Sequence, residues 1–119
     1  MTTMTPTLKR GVVVLVLFPH SDLKTAKPRP ALIVQTDNLE SGLPQVVVAM
    51  ITSRLFRASH PSRVLIKLDS PAGKESGLLT DSVVMTDNLA TISVIAVDRV
   101  IGKIPMGEVD KALKHTLGL

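Results

Sequence analysis

Apolar residues along this chain fall into short runs that are separated by polar, proline-containing or glycine-containing segments. Residues 11–18 are continuously apolar and rich in β-branched side chains, which predicts a strand buried on both faces or lying in a closed barrel. A polar loop is expected over residues 20–28, then strands over residues 31–35 and 45–51. The short polar links between these three runs favour an antiparallel meander.

The second half of the chain continues with short strands. Residues 64–69 alternate apolar and polar, which predicts a half-exposed strand, and the segment Pro71-Ala72-Gly73 is expected to break it. Short strands are predicted at residues 82–85 and 89–92, and residues 97–104 are expected to form a turn of helix and then a last strand.

The C-terminal segment changes to helical periodicity. Val109, Leu113 and Leu117 recur at the spacing of one helix face, and the helix is expected to end at Gly118. Short strands followed by a single amphipathic helix predict a fold that is mainly β with a C-terminal α-helix, arranged as a partly open β-barrel with the helix packed across it.

The chain length of 119 residues suits one domain with a real core. Residues 1–7 contain four Thr and one Pro and show no apolar period. We therefore expect a flexible N-terminal arm over residues 1–8 and a single domain over residues 9–119.

Composition limits the kinds of contact that the chain can make with a ligand. The net charge is +4, which suits an anionic partner, but the chain has two Phe and no Trp or Tyr. Few aromatic side chains are therefore available to stack on bases, so any contact with nucleic acid must rest mainly on charge and hydrogen bonds.

The absence of Cys excludes disulfides, thiolate metal sites and a cysteine nucleophile, and it fits a cytoplasmic protein. The apolar run that ends at Phe18 is too short to span a bilayer, and charged residues follow it rather than a cleavage site for a signal peptidase. We expect no membrane association, no metal site and no cofactor.

Several segments, in their order and spacing, resemble the MazF/PemK family of toxin endoribonucleases, and the resemblance runs from about Arg10 to Leu119. The matching segments are Arg10-Gly11, Phe18-Pro19-His20-Ser21-Asp22, Arg29-Pro30-Ala31-Leu32-Ile33-Val34, Ala49-Met50-Ile51-Thr52-Ser53, Asp81-Ser82-Val83-Val84 and Ala112-Leu113-Lys114-His115-Thr116-Leu117-Gly118-Leu119.

The resemblance implies an SH3-like barrel of the CcdB/PemK toxin type, usually a homodimer, that cleaves single-stranded RNA without a metal and is neutralised by a cognate antitoxin. It also implies that Arg29 and Thr52 carry out the cleavage. The RNA products would then have a 2′,3′-cyclic phosphate (or 3′-phosphate) on one side of the cut and a 5′-hydroxyl on the other. RNA supplies its own nucleophile, the 2′-hydroxyl, so the protein must stabilise charge and assist proton transfer. Arg29 offers bidentate donors to phosphate, and Thr52 is suited to positioning it.

Other residues are candidates for contact with RNA. Ser53 follows Thr52, and His20 and Ser21 lie in a matching segment close in sequence to Arg29. Lys27 and Arg54 are expected to track the RNA backbone or to form a solvated rim, as are Lys24, Arg57 and Arg63. Asn88 stands where similar proteins often carry a Gln.

Each of these residues also has an ordinary structural explanation, and three alternatives stay open. Two imidazoles among His20, His60 and His115 would form an acid and base pair. A silent RNA-binding or antitoxin-binding module is a second alternative, since Ala90 stands where similar proteins often carry an Arg. A CcdB-like gyrase poison is a third, although such toxins use an aromatic-containing tail and this chain ends in Leu-Gly-Leu.

Overall fold

The computed structural model describes residues 8–19 and 26–119. Its strands are β1 (Val12–Pro19), β2 (Ala26–Ile33), β3 (Gln45–Thr52), β4 (Arg63–Ile66), β5 (Ser82–Ser93) and β6 (Val97–Lys103), and its α-helices are α1 (Pro71–Ser76) and α2 (Gly107–Leu117). Single turns of 3-10 helix follow β3 and precede β6.

All six strands form one antiparallel sheet in the order β4-β5-β3-β2-β1-β6. The expected meander of the first three strands is confirmed. No pairing between β4 and β6 closes the sheet within the described residues, so the barrel is partly open, as predicted. The fold expected from the sequence, mainly β with a C-terminal helix, is therefore the fold observed.

The central strands are buried on both faces of the sheet, as the continuous apolar run of β1 predicts. Val13 packs with Leu32, Ile51 and Val109 in one apolar cluster, on the side that α2 covers. Val14 belongs to a second cluster on the other face. Leu8, which the sequence assigned to the arm, is half-buried against this second cluster.

Strand β2 starts earlier than the sequence indicates. The segment Lys27-Pro28-Arg29-Pro30 was expected to be mostly loop, but it pairs with β1, with Arg29 opposite Val16. Prolines are normally absent from central strands because they have no N–H group to donate to the neighbouring strand. They fit here because β3 pairs with β2 only from Ala31 onward, which leaves the earlier part of β2 with one free edge.

The strand expected before Pro71-Ala72-Gly73 does end ahead of this segment, at Ile66, and Pro71 then opens the short helix α1, because a proline at the first helical position loses no intrahelical hydrogen bond. One other expectation was wrong in detail. The two short strands expected at 82–85 and 89–92 are one long strand, β5. Its pairing with β3 is interrupted between Met85 and Leu89, so three extra residues are accommodated as an irregularity.

The C-terminal helix is confirmed. α2 places Val109 and Ala112 in the core, and it ends at Gly118. No helix in residues 8–19 and 26–119 is long and apolar enough to cross a membrane.

Candidate active site

A cleft of about 750 Å³ opens where β2 parts from β3, between the start of β2, the end of β3, the middle of β6 and the loop after α1. Leu15, Ile51 and Ile101 contribute to its apolar lining, together with Pro28 and Pro30. Its basic and hydroxyl-bearing lining residues are Lys27, Arg29, Arg54 and Arg99, and Thr52, Ser53, Thr80 and Ser82. The cleft therefore combines an apolar lining with cations and hydroxyl groups.

The charge of this lining is one-sided. Four basic side chains contribute to it, and among the described residues that line it there is no Asp or Glu. Concave surfaces lined by one sign of charge concentrate ions of the opposite sign. The cleft therefore favours an anionic ligand much more strongly than the net charge of +4 indicates for the whole chain.

Arg29 lines the cleft from the free edge of β2. Its register opposite Val16 puts it on the other face from Pro28 and Pro30, which share the cleft lining. The two prolines fix the backbone on either side of Arg29 and present no N–H group at the free edge. Arg29 is exposed, so its guanidinium is accessible to a ligand.

Thr52, the last residue of β3, has a defined hydrogen bond. Its Oγ1 accepts from the backbone N–H of Arg54 at 3.2 Å, which is the turn-capping contact typical of a Thr at a strand end. This contact does not exclude a role with a ligand. Because Oγ1 accepts from the backbone, the hydroxyl hydrogen remains available to donate to an anionic oxygen.

The loop after α1 forms the opposite wall, and local hydrogen bonds hold it in place. The buried hydroxyl of Ser76 donates to the Gly73 carbonyl at 2.7 Å and accepts from the Leu78 N–H at 3.1 Å. Ser82 donates to the Thr80 carbonyl at 2.9 Å. These short-range hydrogen bonds stabilise the segment between the end of α1 and the start of β5.

The structure brings most of the predicted site residues together. Lys27, Arg29, Thr52, Ser53 and Arg54 all line the cleft. Asn88 does not line it, because it lies exposed in the irregular part of β5. His20 and Ser21 lie outside the described residues.

Arg99 lines the same cleft, and sequence reasoning missed it. Next to Asp98 in the sequence, it has the pattern of a solvated ion pair. Its position depends on the pairing of β6 with β1, which places Arg99 opposite Leu15. The alternation of Arg99 with Ile101, which also lines the cleft, is the one local signal that these residues share a face.

The other two histidines are not part of the cleft lining. The rings of His60 and His115 lie edge to face with centroids 6.1 Å apart, and the Nδ1 of His60 accepts from the Ser62 N–H at 3.1 Å. His115 lines a separate, shallow groove between β4 and α2. A scheme with His60 and His115 as acid and base at the cleft therefore lacks the geometry that it requires.

Arg57 and Arg63 are also absent from the lining of the cleft. Arg63 donates to both carboxylate oxygens of Asp87, at 3.4 and 2.7 Å. This hydrogen-bonded pair lowers the pKa of the Asp87 carboxyl below its ordinary value and raises that of Arg63. Arg57 lies over the Phe56 ring at 5.7 Å. These two arginines therefore have structural partners.

The fold and the site define a small, partly open β-barrel with a C-terminal helix and a cationic, hydroxyl-bearing cleft whose charge suits an anionic ligand. Comparison with known families is more specific: the chain belongs to the PemK-like, MazF-like toxins of type II toxin-antitoxin systems, whose family model matches residues 9–117.

Individual relatives agree with this assignment. The chain is 33% identical over 107 residues to endoribonuclease MazF2 of Mycobacterium bovis and, equally, to endoribonuclease MazF6 of Mycobacterium tuberculosis, covering 87% of this chain and 90% of each relative. The solved Mycobacterium tuberculosis toxin MazF-mt6 superimposes with a TM-score of 0.65 at 25% identity, covering 89% of this chain and 97% of that one. A MazE-MazF structure from Deinococcus radiodurans shares the fold, with a TM-score of 0.69 at 17% identity over 98% and 99% of the two chains.

Proposed function

We propose that this protein is the toxin of a type II toxin-antitoxin system and acts as a metal-independent endoribonuclease that cuts single-stranded RNA at a short sequence in the cytoplasm, inhibiting translation and growth. The functional domain is residues 9–119. The observation that carries the proposal is the cleft in which Arg29 and Thr52 lie together with further cations and no carboxylate among the described lining residues.

The reaction requires little covalent chemistry from the protein. The 2′-oxygen of the ribose attacks the adjacent phosphorus and loses its proton, while the bond from phosphorus to the 5′-oxygen breaks and that oxygen gains a proton. The products are a 2′,3′-cyclic phosphate and a 5′-hydroxyl, and water enters only if the cyclic phosphate opens to a 3′-phosphate. The protein must hold the phosphate in line and stabilise its growing negative charge.

Arg29 and Thr52 are suited to these two tasks. The guanidinium of Arg29 stays protonated and donates two hydrogen bonds in parallel to nonbridging oxygens, whose charge rises in the transition state. The hydroxyl of Thr52, oriented by the Arg54 N–H, donates to the same phosphate and orients it for attack. Ser53, Lys27 and Arg54 surround them and bind the flanking RNA.

The proposal includes two partners besides RNA. A cognate antitoxin is inferred because solved relatives include a mycobacterial endoribonuclease in complex with its cognate antitoxin and the MazE-MazF structures. A homodimer is inferred from the family assignment. An antitoxin that inhibits by covering this cleft would need an acidic segment, because the cleft presents four cations.

The direct test is cleavage of a long, weakly structured RNA by purified protein in the presence of a chelator, with mapping of the cut ends. We expect cuts at a short recurring sequence, with 5′-hydroxyl ends. Arg29→Ala and Thr52→Ala should each reduce kcat by about 10²–10³-fold, the usual loss when one donor to a developing oxyanion is removed.

Arg57→Ala is the matched control, because it removes one positive charge outside the cleft and should leave cleavage close to wild type. His60→Gln combined with His115→Gln should also cut normally. RNA binding without cutting by the wild type would instead support the silent module. Trapping of gyrase on DNA without RNA cleavage would support the gyrase poison.

A further inference from the structure

Arg99 and Arg29 approach the cleft from different strands. β1 lies between β6, which carries Arg99, and β2, which carries Arg29. Arg99 is opposite Leu15 and Arg29 is opposite the next residue, Val16. Two interstrand spacings of about 4.8 Å and one residue of rise therefore separate the backbones of the two arginines by roughly 10 Å.

The two arginines also lie on different faces of the sheet. Successive residues of β1 point to opposite faces, so Arg99 shares the face of Leu15, and Arg29 reaches the cleft lining at the free edge of β2. The two side chains therefore leave the sheet on different faces from backbones that are roughly 10 Å apart, so they do not start from the same side of one phosphate. They are better placed to contact two phosphates of one strand.

Arg99 is available for such a contact. Its side chain is 70% exposed, and its ion pair joins Nε to Asp98 Oδ2 at 3.6 Å. An exposed pair at this distance is weak. A contact through Nε leaves the two terminal nitrogens out of the pair, and these can donate to a phosphate.

We propose that Arg99 binds the backbone phosphate next to the scissile phosphate, so that Arg29 and Arg99 together require an RNA strand that continues past the cut linkage. This inference rests on the proposed function, because it takes the phosphate at Arg29 as the scissile one. Arg99 acts by binding the substrate, so its loss affects KM and leaves kcat close to its wild-type value.

The test uses a short RNA with one cleavage sequence and a matched series in which the linkage on the 5′ or 3′ side of the cut is a neutral methylphosphonate. On the all-phosphate RNA, Arg99→Ala should raise KM by about tenfold, as expected for one exposed hydrogen-bonded charge contact, with kcat within about twofold. One of the two neutral linkages should raise the KM of the wild type by a similar factor and should abolish the difference between wild type and Arg99→Ala.

A second measurement does not depend on cleavage. Binding of the same oligonucleotide with a 2′-deoxy sugar at the cut site is followed by fluorescence anisotropy over a range of salt concentration. For a single strand, the slope of log affinity against log salt changes by about 0.7 per phosphate contact, so Arg99→Ala should reduce its magnitude by that amount. Lys103→Ala is the matched control, since Lys103 is an exposed cation on the same strand that does not line the cleft.

The outcomes separate the two proposals. If the wild type binds but does not cut, the proposed function fails, while the anisotropy arm still tests Arg99. If Arg99→Ala matches wild type or Lys103→Ala in both KM and salt slope, or if its effect persists with each neutral linkage, the neighbouring-phosphate contact is wrong. A loss confined to kcat would place Arg99 at the scissile phosphate and would also overturn the proposal.

Discussion

Arg10 joins the start of the sheet to the C-terminal helix through Asp110: its Nη2 donates to Asp110 Oδ1 at 2.5 Å. Its Nε also donates to the Val34 carbonyl, just after β2, at 3.0 Å. One guanidinium therefore ties together segments that lie 24 and 100 residues away in the chain. This contact gives a structural role to the Arg of the Arg10-Gly11 pair, a segment that marks the family in the sequence.

The Arg10 contact predicts a measurable contribution to stability. Asp110→Ala should lower the free energy of unfolding by about 1 kcal/mol, the upper end for a partly exposed ion pair, since the side chains of Arg10 and Asp110 are 30% and 44% exposed. The measurement is reversible urea denaturation. Glu108→Ala is the control, because it removes a carboxylate from the same first helical turn, where its partner Lys111 is 78% exposed. Equal losses in both variants would mean that only the helix dipole is being measured.

Gly77 is predicted to be required for the wall of the cleft. It ends α1 with φ of 73°, and a β-carbon there would overlap the carbonyl oxygen of Ile101 on β6. Gly77→Ala should therefore cost conformational strain and also displace α1 from β6, lowering RNA affinity together with stability.

Gly42→Ala isolates the conformational strain from the displacement of α1. Gly42 has nearly the same φ, 77°, but an added β-carbon would meet nothing within 4 Å. This variant should lose about 1 kcal/mol from the left-handed conformation alone, and Gly77→Ala at least about 2 kcal/mol more from overlap. Thermal denaturation of the two proteins side by side gives the comparison, and equal losses would show that α1 does not depend on this close approach.

We predict that Thr52 contributes to cleavage through the hydrogen of its hydroxyl group and not through the shape of its side chain. Thr52→Val preserves the branched shape but removes both the acceptor for the Arg54 N–H and the donor to phosphate, so kcat should fall by about 10²-fold or more. Thr52→Ser retains the hydroxyl and should keep kcat within about tenfold of wild type. Single-turnover cleavage by both variants decides this, and comparable rates for the two would assign Thr52 a packing role only.

The Asp87 carboxyl predicts a pH dependence of stability. Its hydrogen bonds from Arg63 lower its pKa in the folded state below the unfolded value of about 3.9. A lowered folded-state pKa gives stability that is fully present above the unfolded pKa and is lost as the pH falls through the folded pKa. Asp87→Asn should therefore flatten the acid side of the curve of unfolding free energy against pH and leave the neutral range within about 1 kcal/mol.

Urea titrations between pH 2 and pH 7 measure this curve, and Arg63→Gln provides the second arm. Removing either partner should flatten the same limb, and the double variant should show no further flattening. If both single variants keep the acid limb that the wild-type curve shows, that limb comes from other carboxylates.

Much of this architecture could be predicted from the chain alone because the signals are local. β-Branched runs such as the one in β1 favour strands, and the spacing of Val109 and Leu113 favours a helix that ends at glycine. Local patterns also misled. The proline-rich segment around Arg29 has loop composition, and only the absence of β3 beside it makes a strand possible.

The candidate site divides in the same way. The sequence determined which residue types the protein offers: a cysteine-free, aromatic-poor and cationic chain with Arg29 at a proline pair and Thr52 at a strand end. Tertiary structure decided which of them meet. Pairing of β6 with β1 brought Arg99 to the cleft, and the irregularity in β5 placed Asn88 outside it, because strand register and bulges depend on contacts between segments far apart in the chain and have no reliable local signature.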